Sequence, residues 1–404
     1  MKILFISGGI AHYVAALLDK LNSFNNIDIV LVKPAGKEKT LGKGVKQTID
    51  EFSFKVIEAE EYISFIRKPY YRNLNQIIKD EQPNVIVMGW PYIVGFRLDF
   101  KNLRYIRKHK IKFIYREIPF QVAPFNKMFS YYKSNPLIDE DNIDRTPRGI
   151  RFYIWAFVLA LFRKWYYSLP DATICYADSG IEIQKSYGVK VERIFVSNNS
   201  CDTDKLFDTL KEIDQKSLES EKNPYTLIHI GRLVKWKKVD LLIKATAELV
   251  KIYPKTNLIV IGNGPEKEHL IELSKNLSIE DKVNFTGGIY DYKQMGEMLI
   301  KSGIYVLAGM GGLSINEAMG FGKPIICSVC DGTEKSLVKD GCNGYFFKEN
   351  NLENLVEKVS MIFSDMNHMD EMGRNSYRII KEEVNLDTVS AKIIECFRFV
   401  IDKV

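Results

Sequence analysis

Short apolar runs alternate with amphipathic stretches along the chain, and glycines mark several of the junctions between them. Residues 2–7 form an apolar run that ends at Gly8 and Gly9, and apolar side chains then recur at helical spacing from Val14 to Leu21. Further runs that fit buried strands lie at 27–32, 84–89, 113–116, 172–175 and 193–196. This order of strand, turn, helix and strand predicts a doubly wound α/β domain with a parallel sheet.

The same pattern restarts after residues 211–224, a polar and charged stretch that we interpret as a linker. New strand-like runs lie at 225–230, 258–261, 283–286, 304–307 and 323–327, with helical patterns over 239–252 and near 313–321. We predict two tandem Rossmann-like domains, over residues 1–205 and 206–385, and a C-terminal helix in 386–404 that packs back across both. Ligands of such open sheets bind at the carboxyl ends of the strands, so we expect a site in a cleft between the domains.

Composition is that of a globular protein, with 46% hydrophobic and 27% charged residues. The N-terminus runs directly into the first strand without the pattern of a secretory signal, so we expect a cytoplasmic location. Residues 152–162 are uncharged and lie between basic flanks, but a membrane-spanning helix takes about 20 apolar residues. We expect a core helix there, while the flanking Arg148, Arg151, Arg163 and Lys164 leave contact with a membrane surface open.

The net charge of +6 is concentrated in the first half of the chain. Its densest part is a group of basic residues interrupted by one acid: Arg97, Lys101, Arg104, Arg107, Lys108, Lys110, Lys112 and Arg116. This basic cluster is either a solvated helix face or a surface that attracts an anionic membrane or a phosphorylated acceptor. We do not expect nucleic acid as a partner, because no recognised nucleic-acid-binding motif accompanies the charge.

Six cysteines are too few for a disulfide scaffold in a chain of 404 residues. Cys327 and Cys330 form a C-x-x-C pair, but the second pair that a zinc site needs does not follow. We therefore interpret the cysteines as structural and expect no metal bound to them.

Two short stretches carry residues suited to a diphosphate and a ribose. Arg232 and Lys237 closely follow a strand-like run, and cations there would stabilise the charge on a leaving diphosphate. Glycines at 309, 311 and 312 precede a helix whose first N–H groups, near Leu313, form an anion site, and Glu317 can accept ribose hydroxyls. A surface salt bridge and a glycine-rich turn with an acid at a helix start are the alternative interpretations.

In these stretches the sequence resembles the family 4 retaining glycosyltransferases, which have the GT-B fold. Five motifs in that family's order carry the resemblance: Asn198-Asn199-x-Cys201-Asp202, Gly231-Arg232-Leu233-x-x-x-Lys237, Gly262-Asn263-Gly264-Pro265, Phe285-Thr286-Gly287-Gly288, and Gly312-Leu313-x-x-x-Glu317-Ala318-Met319-x-x-Gly322-x-Pro324. Each motif is weak alone, but five in the same order along most of the chain are a strong signal.

The resemblance implies that Arg232 and Lys237 hold the diphosphate, that Glu317 holds the ribose, and that no metal is needed because the two cations replace one. It also implies a set of further donor-site residues: Gly9, Gly231, Gly262, Gly264, Gly288, Gly309, Gly311, Gly312 and Leu313. The expected outcome is transfer with retention at the anomeric carbon, by attack on the face that the diphosphate leaves.

The chain departs from the family pattern at two positions. The family signature pairs two acids with seven residues between them, and Gly309 stands in place of the first acid. Main chain or water would then contact the donor sugar, or the donor differs. Glu117 stands where the family often has a His, and we hypothesise that it faces the cleft and orients or deprotonates the acceptor hydroxyl. The alternative is an acid in a surface loop, and His12 is a second acceptor-side candidate.

The resemblance thus implies a glycosyltransferase that moves a hexose-type sugar from a nucleotide diphosphate sugar to a hydroxyl of a cell-surface glycan or lipid-linked saccharide. Its expected location is the cytoplasm or the inner face of the cell membrane, as a peripheral protein on an anionic surface. Two alternatives remain: a nucleotide-sugar epimerase on the same fold, and a non-catalytic paralogue that only binds the nucleotide sugar.

Overall fold

The computed structural model describes residues 1–36, 52–117, 122–137, 144–328 and 333–402. The chain divides into two compact units, which we call the first unit (Met1–Asn198 with Asp387–Val404) and the second unit (Asn199–Leu386). The division after Asn198 lies a few residues before the boundary predicted at 205, and the C-terminal segment belongs to the first unit.

The first unit is built on a seven-stranded sheet in which every neighbouring pair is parallel. Its strands, together with a small antiparallel pair β4–β5, are β1 (Lys2–Ile6), β2 (Asp28–Pro34), β3 (Lys55–Ala59), β4 (Glu61–Ile63), β5 (Pro69–Tyr71), β6 (Val85–Met88), β7 (Lys112–Glu117), β8 (Ala172–Cys175) and β9 (Ile194–Val196). The order in the sheet is β3-β2-β1-β6-β7-β8-β9, so the strand order reverses between β1 and β6. The apolar run at 84–89 is the buried strand β6, as its sequence predicts.

Within the described residues of the first unit, seven α-helices precede the second unit in the chain. They are α1 (His12–Asn22), α2 (Leu74–Glu81), α3 (Tyr92–Leu98), α4 (Phe100–Lys108), α5 (Met128–Ser134), α6 (Ile150–Tyr167) and α7 (Ser179–Ser186). Helices α2 to α7 contribute to one large core on the sheet, which includes Leu74, Phe96, Tyr132 and Ile183.

The second unit is built on a six-stranded parallel sheet in the order β12-β11-β10-β13-β14-β15. The strands are β10 (Thr226–Ile230), β11 (Asn257–Ile261), β12 (Val283–Gly287), β13 (Ile304–Leu307), β14 (Ile325–Ser328) and β15 (Gly344–Phe347). The helices are α8 (Thr203–Glu212), α9 (Gln215–Ser220), α10 (Val239–Ile252), α11 (Lys267–Asn276), α12 (Tyr292–Lys301), α13 (Ser314–Gly320), α14 (Thr333–Leu337), α15 (Leu352–Phe363) and α16 (Met366–Glu382).

Both faces of this second sheet are covered. Ile304 and Val306 of β13 contribute to a core shared with α10 and α15, while the alternate residues Tyr305 and Leu307 contribute to another core, shared with α12 and α13. This two-residue alternation is the pattern of a strand buried on both sides. The prediction of two doubly wound parallel sheets is therefore confirmed.

The polar stretch 211–224 is not a linker, and that interpretation was wrong. It continues from α8 into α9, and Leu206 and Ile213 are buried in a core of the second unit. A Cβ atom on Gly320 would meet Leu206 at 2.7 Å, which shows how closely α8 contacts α13. The charged residues of these helices are exposed, and their number concealed Ile213, which is buried, and Leu218, which packs against the same core.

The last helix, α17 (Leu386–Asp402), packs on the first unit. Phe397 is buried and meets Phe5 of β1 edge to face, at 6.4 Å between ring centroids. Lys20 of α1 forms an ion pair with Asp387 at 2.6 Å. The first unit is therefore completed by residues that follow the second unit in the chain.

Helix α6 buries one face only, which corrects the expectation of a core helix. Phe152, Ala156 and Ala160 are buried, and so are Tyr166 and Tyr167 at its end. The opposite face leaves six apolar side chains 42% to 72% exposed: Ile150, Tyr153, Ile154, Phe157, Val158 and Leu161. Among the described residues, no helix has both the length and the apolar character needed to cross a membrane.

Candidate functional site

The candidate donor site of the second unit lies where the strand order of its sheet reverses, between β10 and β13. The loops that follow these two strands diverge at the carboxyl edge of the sheet, which is where open α/β sheets bind ligands. Arg232 and Lys237 lie in the loop after β10, and Gly309, Gly311 and Gly312 lie in the loop after β13. The fold thus brings the two stretches singled out in the sequence to one edge of one sheet.

Lys237 joins the two loops directly. It ends a short 3-10 turn, Lys235–Lys237, and its side chain is buried. Its Nζ donates to the carbonyl oxygens of Met310 at 2.8 Å and Gly311 at 2.6 Å. The ammonium group is therefore held at the junction of the loops, where a ligand anion would add a charged partner to two neutral ones.

Arg232 lies one residue beyond Gly231, and its side chain is half-buried. The guanidinium carbon lies over the ring of Trp236, 5.8 Å from the ring centroid. This contact orients the planar fork that matches phosphate oxygens. Arg232 and Lys237 lie at two points of one loop at this edge of the sheet.

Two of the predicted donor-site glycines are required by close contacts within the protein. A Cβ atom on Gly262 would lie 1.8 Å from the Gly231 carbonyl oxygen, and one on Gly264 would lie 2.2 Å from that of Leu233. These two glycines let the loops after β10 and β11 contact each other through their backbones. The contact at Gly231 is weaker, because a Cβ atom there would lie 3.2 Å from a side-chain atom, Nε2 of His229.

Asn263 and Gly288 extend this contact to the loop after β12. The side-chain amide of Asn263 is oriented so that both its nitrogen and its oxygen have partners. The nitrogen donates to the Gly262 carbonyl at 3.2 Å, and the oxygen accepts from the Gly288 N–H at 3.0 Å. The Gly262 N–H also donates to the Gly287 carbonyl at 2.8 Å. The loops after β10, β11 and β12 are thus linked in a row along the edge of the sheet.

Gly309 occupies a position with no room for a side chain. A Cβ atom there would lie 2.2 Å from the Trp236 carbonyl oxygen and 2.8 Å from the Cα atom of Lys237. The adjacent Met310 N–H donates to the same Trp236 carbonyl at 2.9 Å. Where the family has a carboxylate, this chain has a direct backbone contact between the loops after β10 and β13.

Helix α13 begins at Ser314, with Leu313 as its N-cap residue. The N–H groups of Asn316 and Glu317 donate to the Leu313 carbonyl at 2.9 and 3.2 Å, which forms the first turn. The Ser314 hydroxyl is bonded at 2.8 Å to that of Tyr305, a buried residue of β13. The start of the helix is thereby fixed to the strand beside it.

Glu317 is half-buried on α13, and burial raises its pKa to about 7. The neighbouring Tyr292 hydroxyl opposes part of this rise in pKa. A carboxyl group with a pKa near 7 changes its charge in the physiological range, and hydroxyl donors such as those of a ribose favour its ionised form. The charge of Glu317 therefore depends on pH near 7, and its contact with a ribose stays a prediction.

His229 is a polar residue of this edge that the sequence reasoning missed. It is buried on β10, and its Nδ1–H donates to the Val306 carbonyl at 3.0 Å. Burial lowers its pKa to about 4, and the charge of Lys237 contributes to the lowering, so the ring is neutral at pH 7. The signal in the sequence is a single imidazole within the apolar run 225–230.

The candidate acceptor site is a cavity of about 470 Å³ in the first unit. It lies at the carboxyl edge of the sheet, beside the reversal between β1 and β6, and Gly9, Trp90, Arg116 and Glu117 line it. His12 is exposed at the start of α1 and does not line this cavity. Of the first-unit residues predicted from the sequence, Gly9 and Glu117 are brought together here.

Glu117 is the last residue of β7 and is buried, so the surface-loop alternative is wrong. Its Oε1 accepts from the Tyr115 hydroxyl at 3.0 Å, and its Oε2 accepts from the Tyr167 hydroxyl. Burial raises the pKa of Glu117, and these two hydrogen bonds and the charge of Arg163 oppose the rise. Both carboxylate oxygens of Glu117 thus accept a hydrogen bond from a tyrosine hydroxyl. These two tyrosines lie within the apolar runs of β7 and α6, so the sequence pattern does not indicate their contact with Glu117.

The basic cluster splits into two parts. Lys101, Arg104, Arg107 and Lys108 lie on the exposed face of α4, which is the solvated helix face considered from the sequence. Arg97 and Arg116 are half-buried instead, over the rings of Trp165 and Tyr176 at 5.3 and 4.9 Å.

No group of three or more His, Cys, Asp or Glu residues that could hold a metal ion occurs within the described ranges. Cys175, Cys201, Cys327, Cys342 and Cys396 are free thiols. Cys330, the second residue of the C-x-x-C pair, lies outside the described residues.

Comparisons with known proteins point to one family. Residues 211–379 match the family model described as glycosyl transferases group 1. An uncharacterised glycosyltransferase of Haemophilus influenzae is 34% identical over 173 residues, which are 42% of this chain and 47% of that protein. N-acetyl-alpha-D-glucosaminyl L-malate synthase of Bacillus anthracis is 30% identical over 179 residues, 44% of each chain. The matched segments thus span about half the length of these relatives.

The whole chain has the fold of a solved structure. The Anabaena protein HepE in complex with UDP superimposes with a TM-score of 0.69 over 99% of this chain and 100% of that one, at 16% identity. HepE in complex with UDP-glucose superimposes with a TM-score of 0.65. The predicted GT-B fold is confirmed over the chain, and the predicted resemblance to the family 4 glycosyltransferases is confirmed by the group 1 match of the second unit.

Proposed function

We propose that this chain is a glycosyltransferase that transfers a sugar from a UDP-sugar to a hydroxyl group of a saccharide acceptor. One observation carries the proposal: the reversal between β10 and β13 brings Arg232, Lys237 and the loop 309–313 to one edge of the second unit. This edge lies within the segment that matches the family model. The complexes of HepE with UDP and UDP-glucose favour uracil as the base of the donor.

In this proposal the diphosphate is the common element that the second unit binds. Arg232 supplies a planar fork to the phosphate oxygens, and Lys237 adds an ammonium held between two loops. Both charges are fixed before the reaction, so they stabilise the negative charge that grows on the leaving UDP. Ionised Glu317 accepts the ribose hydroxyls. The resemblance implies retention at the anomeric carbon and cations that do the work of a metal.

A panel of nucleotides tests the donor assignment. UDP, UDP-glucose and UDP-N-acetylglucosamine should raise the unfolding temperature of the full chain, because a ligand at about 100 times its Kd stabilises by about 2.7 kcal/mol. Arg232→Ala should weaken all three alike, since the diphosphate is common to them. Lys235→Ala, an exposed neighbour, is the matched control and should leave binding unchanged. The absence of a shift with every nucleotide diphosphate would refute the assignment.

Product analysis separates transfer from the two alternatives. A transferase releases UDP from its sugar only when an acceptor is present. An epimerase consumes the nucleotide sugar without an acceptor, and a non-catalytic paralogue binds UDP but releases none. We expect acceptor-dependent release, and consumption of the donor without acceptor at the same rate would refute transfer.

Glu117 is the acceptor-side residue that we favour. Its two oxygens already accept from Tyr115 and Tyr167, so the geometry supports a positioning role through these hydroxyls over direct proton abstraction. Glu117→Gln should lower turnover at saturating acceptor while leaving the UDP-induced stabilisation intact. Unchanged turnover would remove Glu117 from the reaction.

We further propose that the exposed face of α6 rests on an anionic lipid surface. Its six exposed apolar side chains follow helical spacing from Ile150 to Leu161, and exposed Arg151 and Lys164 stand beside them, with no acid in the helix. Apolar residues would enter the interface while the cations pair with lipid phosphates. Two copies of the chain would instead oppose their basic residues across this face, which favours lipid over self-association.

Vesicle co-sedimentation tests the membrane proposal. Vesicles containing phosphatidylglycerol should bind the full chain, and pure phosphatidylcholine vesicles should bind it less. Phe157→Ser and Leu161→Ser together should weaken binding at least tenfold. Ile252→Ser removes an exposed apolar residue of α10 in the second unit and should have no effect. Equal binding of the double variant, or a dimer in solution that α6 substitutions abolish, would refute the proposal.

A further inference from the structure

The cavity of the first unit contains a cation, Arg116, whose hydrogen-bonding capacity is only partly used. Three charged residues line the cavity: Arg116, Glu117 and Arg163. Glu117 accepts from two tyrosines, and Arg163 donates to the Tyr132 hydroxyl. Within the described part of the chain, Nε and Nη2 of Arg116 are shielded from solvent and have no hydrogen-bond partner.

The surroundings of Arg116 do not compensate for this. Its guanidinium lies 4.9 Å from the ring centroid of Tyr176, which attracts the charge but accepts no hydrogen bond in the ring plane. The Tyr13 hydroxyl stays protonated, because burial raises its pKa to about 12. An arginine is always charged and offers five N–H donors, so two shielded guanidinium nitrogens without an acceptor are a cost to the folded chain that a bound anion would relieve.

Trp90 gives the same cavity a flat apolar wall. It follows β6, lines the cavity and is 47% exposed, although a tryptophan near a core is usually covered. Its ring contacts Tyr166 on α6 at 6.0 Å between centroids, and Lys68 lies over it at 4.9 Å. An exposed aromatic plane of this kind packs against the apolar face of a sugar ring while the sugar hydroxyls remain solvated.

We propose that the acceptor is an anionic saccharide, whose carboxylate or phosphate is bound by Arg116 while its sugar ring stacks on Trp90. This inference rests on the proposed function and names the substrate class of that reaction. A carboxylate and a phosphate share the geometry that a guanidinium fork recognises, with two N–H groups donating to two oxygens. The donor diphosphate does not need this cation, because Arg232 and Lys237 of the second unit serve it.

Binding of simple saccharides to the full chain tests the proposal. With UDP present at saturation, so that the donor site is filled, we would titrate methyl glucuronide, glucose 6-phosphate and neutral methyl glucoside. Both charged probes should bind at least tenfold more tightly than the neutral one, and the stronger of the two identifies carboxylate or phosphate as the native group. Their affinity should fall with added salt. Equal binding of charged and neutral probes would refute the proposal.

Two arginine variants locate the effect. Arg116→Gln should remove the preference for charged probes, and Arg116→Lys should retain part of it. Arg97→Gln is a matched control, because Arg97 is also half-buried over an aromatic ring with an unpaired Nε but does not line the cavity. It should leave the preference intact. Arg116→Gln should unfold at an equal or higher temperature than the wild type without ligand, since a shielded charge without a partner is removed.

The outcomes distinguish this inference from the proposed function. If UDP stabilises the chain and Arg116→Gln binds charged probes as the wild type does, only the anionic acceptor is refuted. If UDP does not stabilise the wild type, the proposed function is refuted and this inference falls with it. If Arg116→Gln fails to fold, the salt dependence of the wild type and the Arg116→Lys affinities decide.

Discussion

Each sheet reverses its strand order once, but the space at the carboxyl edge beside the reversal is built differently in the two sheets. At the reversal between β10 and β13, backbone meets backbone: Met310 donates to Trp236, and Lys237 bonds two carbonyls of the opposite loop. At the reversal between β1 and β6, side chains surround a cavity of about 470 Å³. A site built of backbone suits a chemical group that never varies, whereas a site built of side chains can be changed by substitution.

This contrast agrees with the division of labour in the proposed reaction. The diphosphate is common to all nucleotide sugars, so loops that are fixed by glycines and a buried lysine are suited to it. The acceptor differs between enzymes, and residues such as Trp90 and Arg116 select it by stacking and charge. Substitutions at the two edges should therefore have different kinds of effect.

The largest effect is expected at Gly309. A side chain there collides with the Trp236 carbonyl and breaks the Met310 hydrogen bond, so Gly309→Ala and Gly309→Asp should each lower the free energy of unfolding by about 3 kcal/mol. Restoring the family's acid should thus weaken UDP binding. Gly312→Ala is the control, because a Cβ atom there would meet no backbone atom and would approach only Nζ of Lys237, at 3.2 Å, which is less close than the contacts at Gly309. Urea unfolding measures both, and a stable Gly309→Asp that binds UDP more tightly would contradict the closed contact.

Lys237 should rank second. Lys237→Met keeps the buried alkyl chain but leaves the Met310 and Gly311 carbonyls without their charged donor, at a cost of about 2 kcal/mol in the free energy of unfolding. UDP affinity should fall as well. Lys235→Met, on the exposed side of the same turn, should change stability by less than about 0.5 kcal/mol. Equal stability of the two variants would show that the loops are held together without the ammonium.

Glu317 should make UDP binding depend on pH. Because the ribose hydroxyls donate to the ionised carboxylate and the pKa is about 7, affinity should rise about tenfold between pH 6 and 8. The pH dependence of folding stability has the opposite sign. Because the pKa of Glu317 is higher in the folded chain than in the unfolded chain, its contribution to the free energy of unfolding is fully present below the unfolded pKa. This contribution is lost as pH rises through about 7. Glu317→Gln should remove both dependences, which calorimetric titration and unfolding at several pH values measure. A retained rise in affinity would place the titrating group elsewhere.

The smallest effect is expected at Tyr167, which does not line the cavity itself but donates to Glu117, a residue that does. Tyr167→Phe removes one of the two hydroxyls that donate to Glu117, which should cost about 1 kcal/mol and raise the pKa of Glu117 further. Tyr153→Phe, which removes an exposed hydroxyl of the same helix, is the control. Thermal unfolding compares the two variants. A Tyr167→Phe variant as stable as its control would show that water replaces the lost donor, and the cavity would then be wetter than its aromatic lining indicates.

The regular elements near both edges were predictable from sequence because strands buried on both faces are continuous apolar runs. Residues 304–307 are β13 to the residue, and 239–252 are α10. The stretch 211–224 was misread because its charges outnumber its two core residues, the buried Ile213 and the partly buried Leu218, which is the residue by which the short helix α9 packs on the core. The burial of α6 was predicted wrongly, because an uncharged apolar run is typical of a buried helix. The run itself does not indicate that only one face of the helix is buried.

The parts of the site that depend on the chemistry of a side chain were predictable from the sequence. The parts that depend on how closely the loops approach each other were less so. Arg232, Lys237 and Glu317 have side chains whose chemistry is visible in the sequence. Gly309 looked like the loss of a carboxylate, and only the backbone of residues 236–237 shows that the space itself is filled. His229, Arg116 and the tyrosines around Glu117 were missed or unassigned because their importance depends on partners distant in sequence.

The chain passes from the first unit to the second after Asn198 and returns after Leu386. On the ribosome, the second unit therefore emerges whole before the first has received its last helix, α17, which covers Phe5 of the central strand β1. Part of the core of the first unit therefore stays uncovered until α17 has been synthesised. An early stop near residue 386 would consequently spare the proposed donor site and damage the half of the protein that was made first.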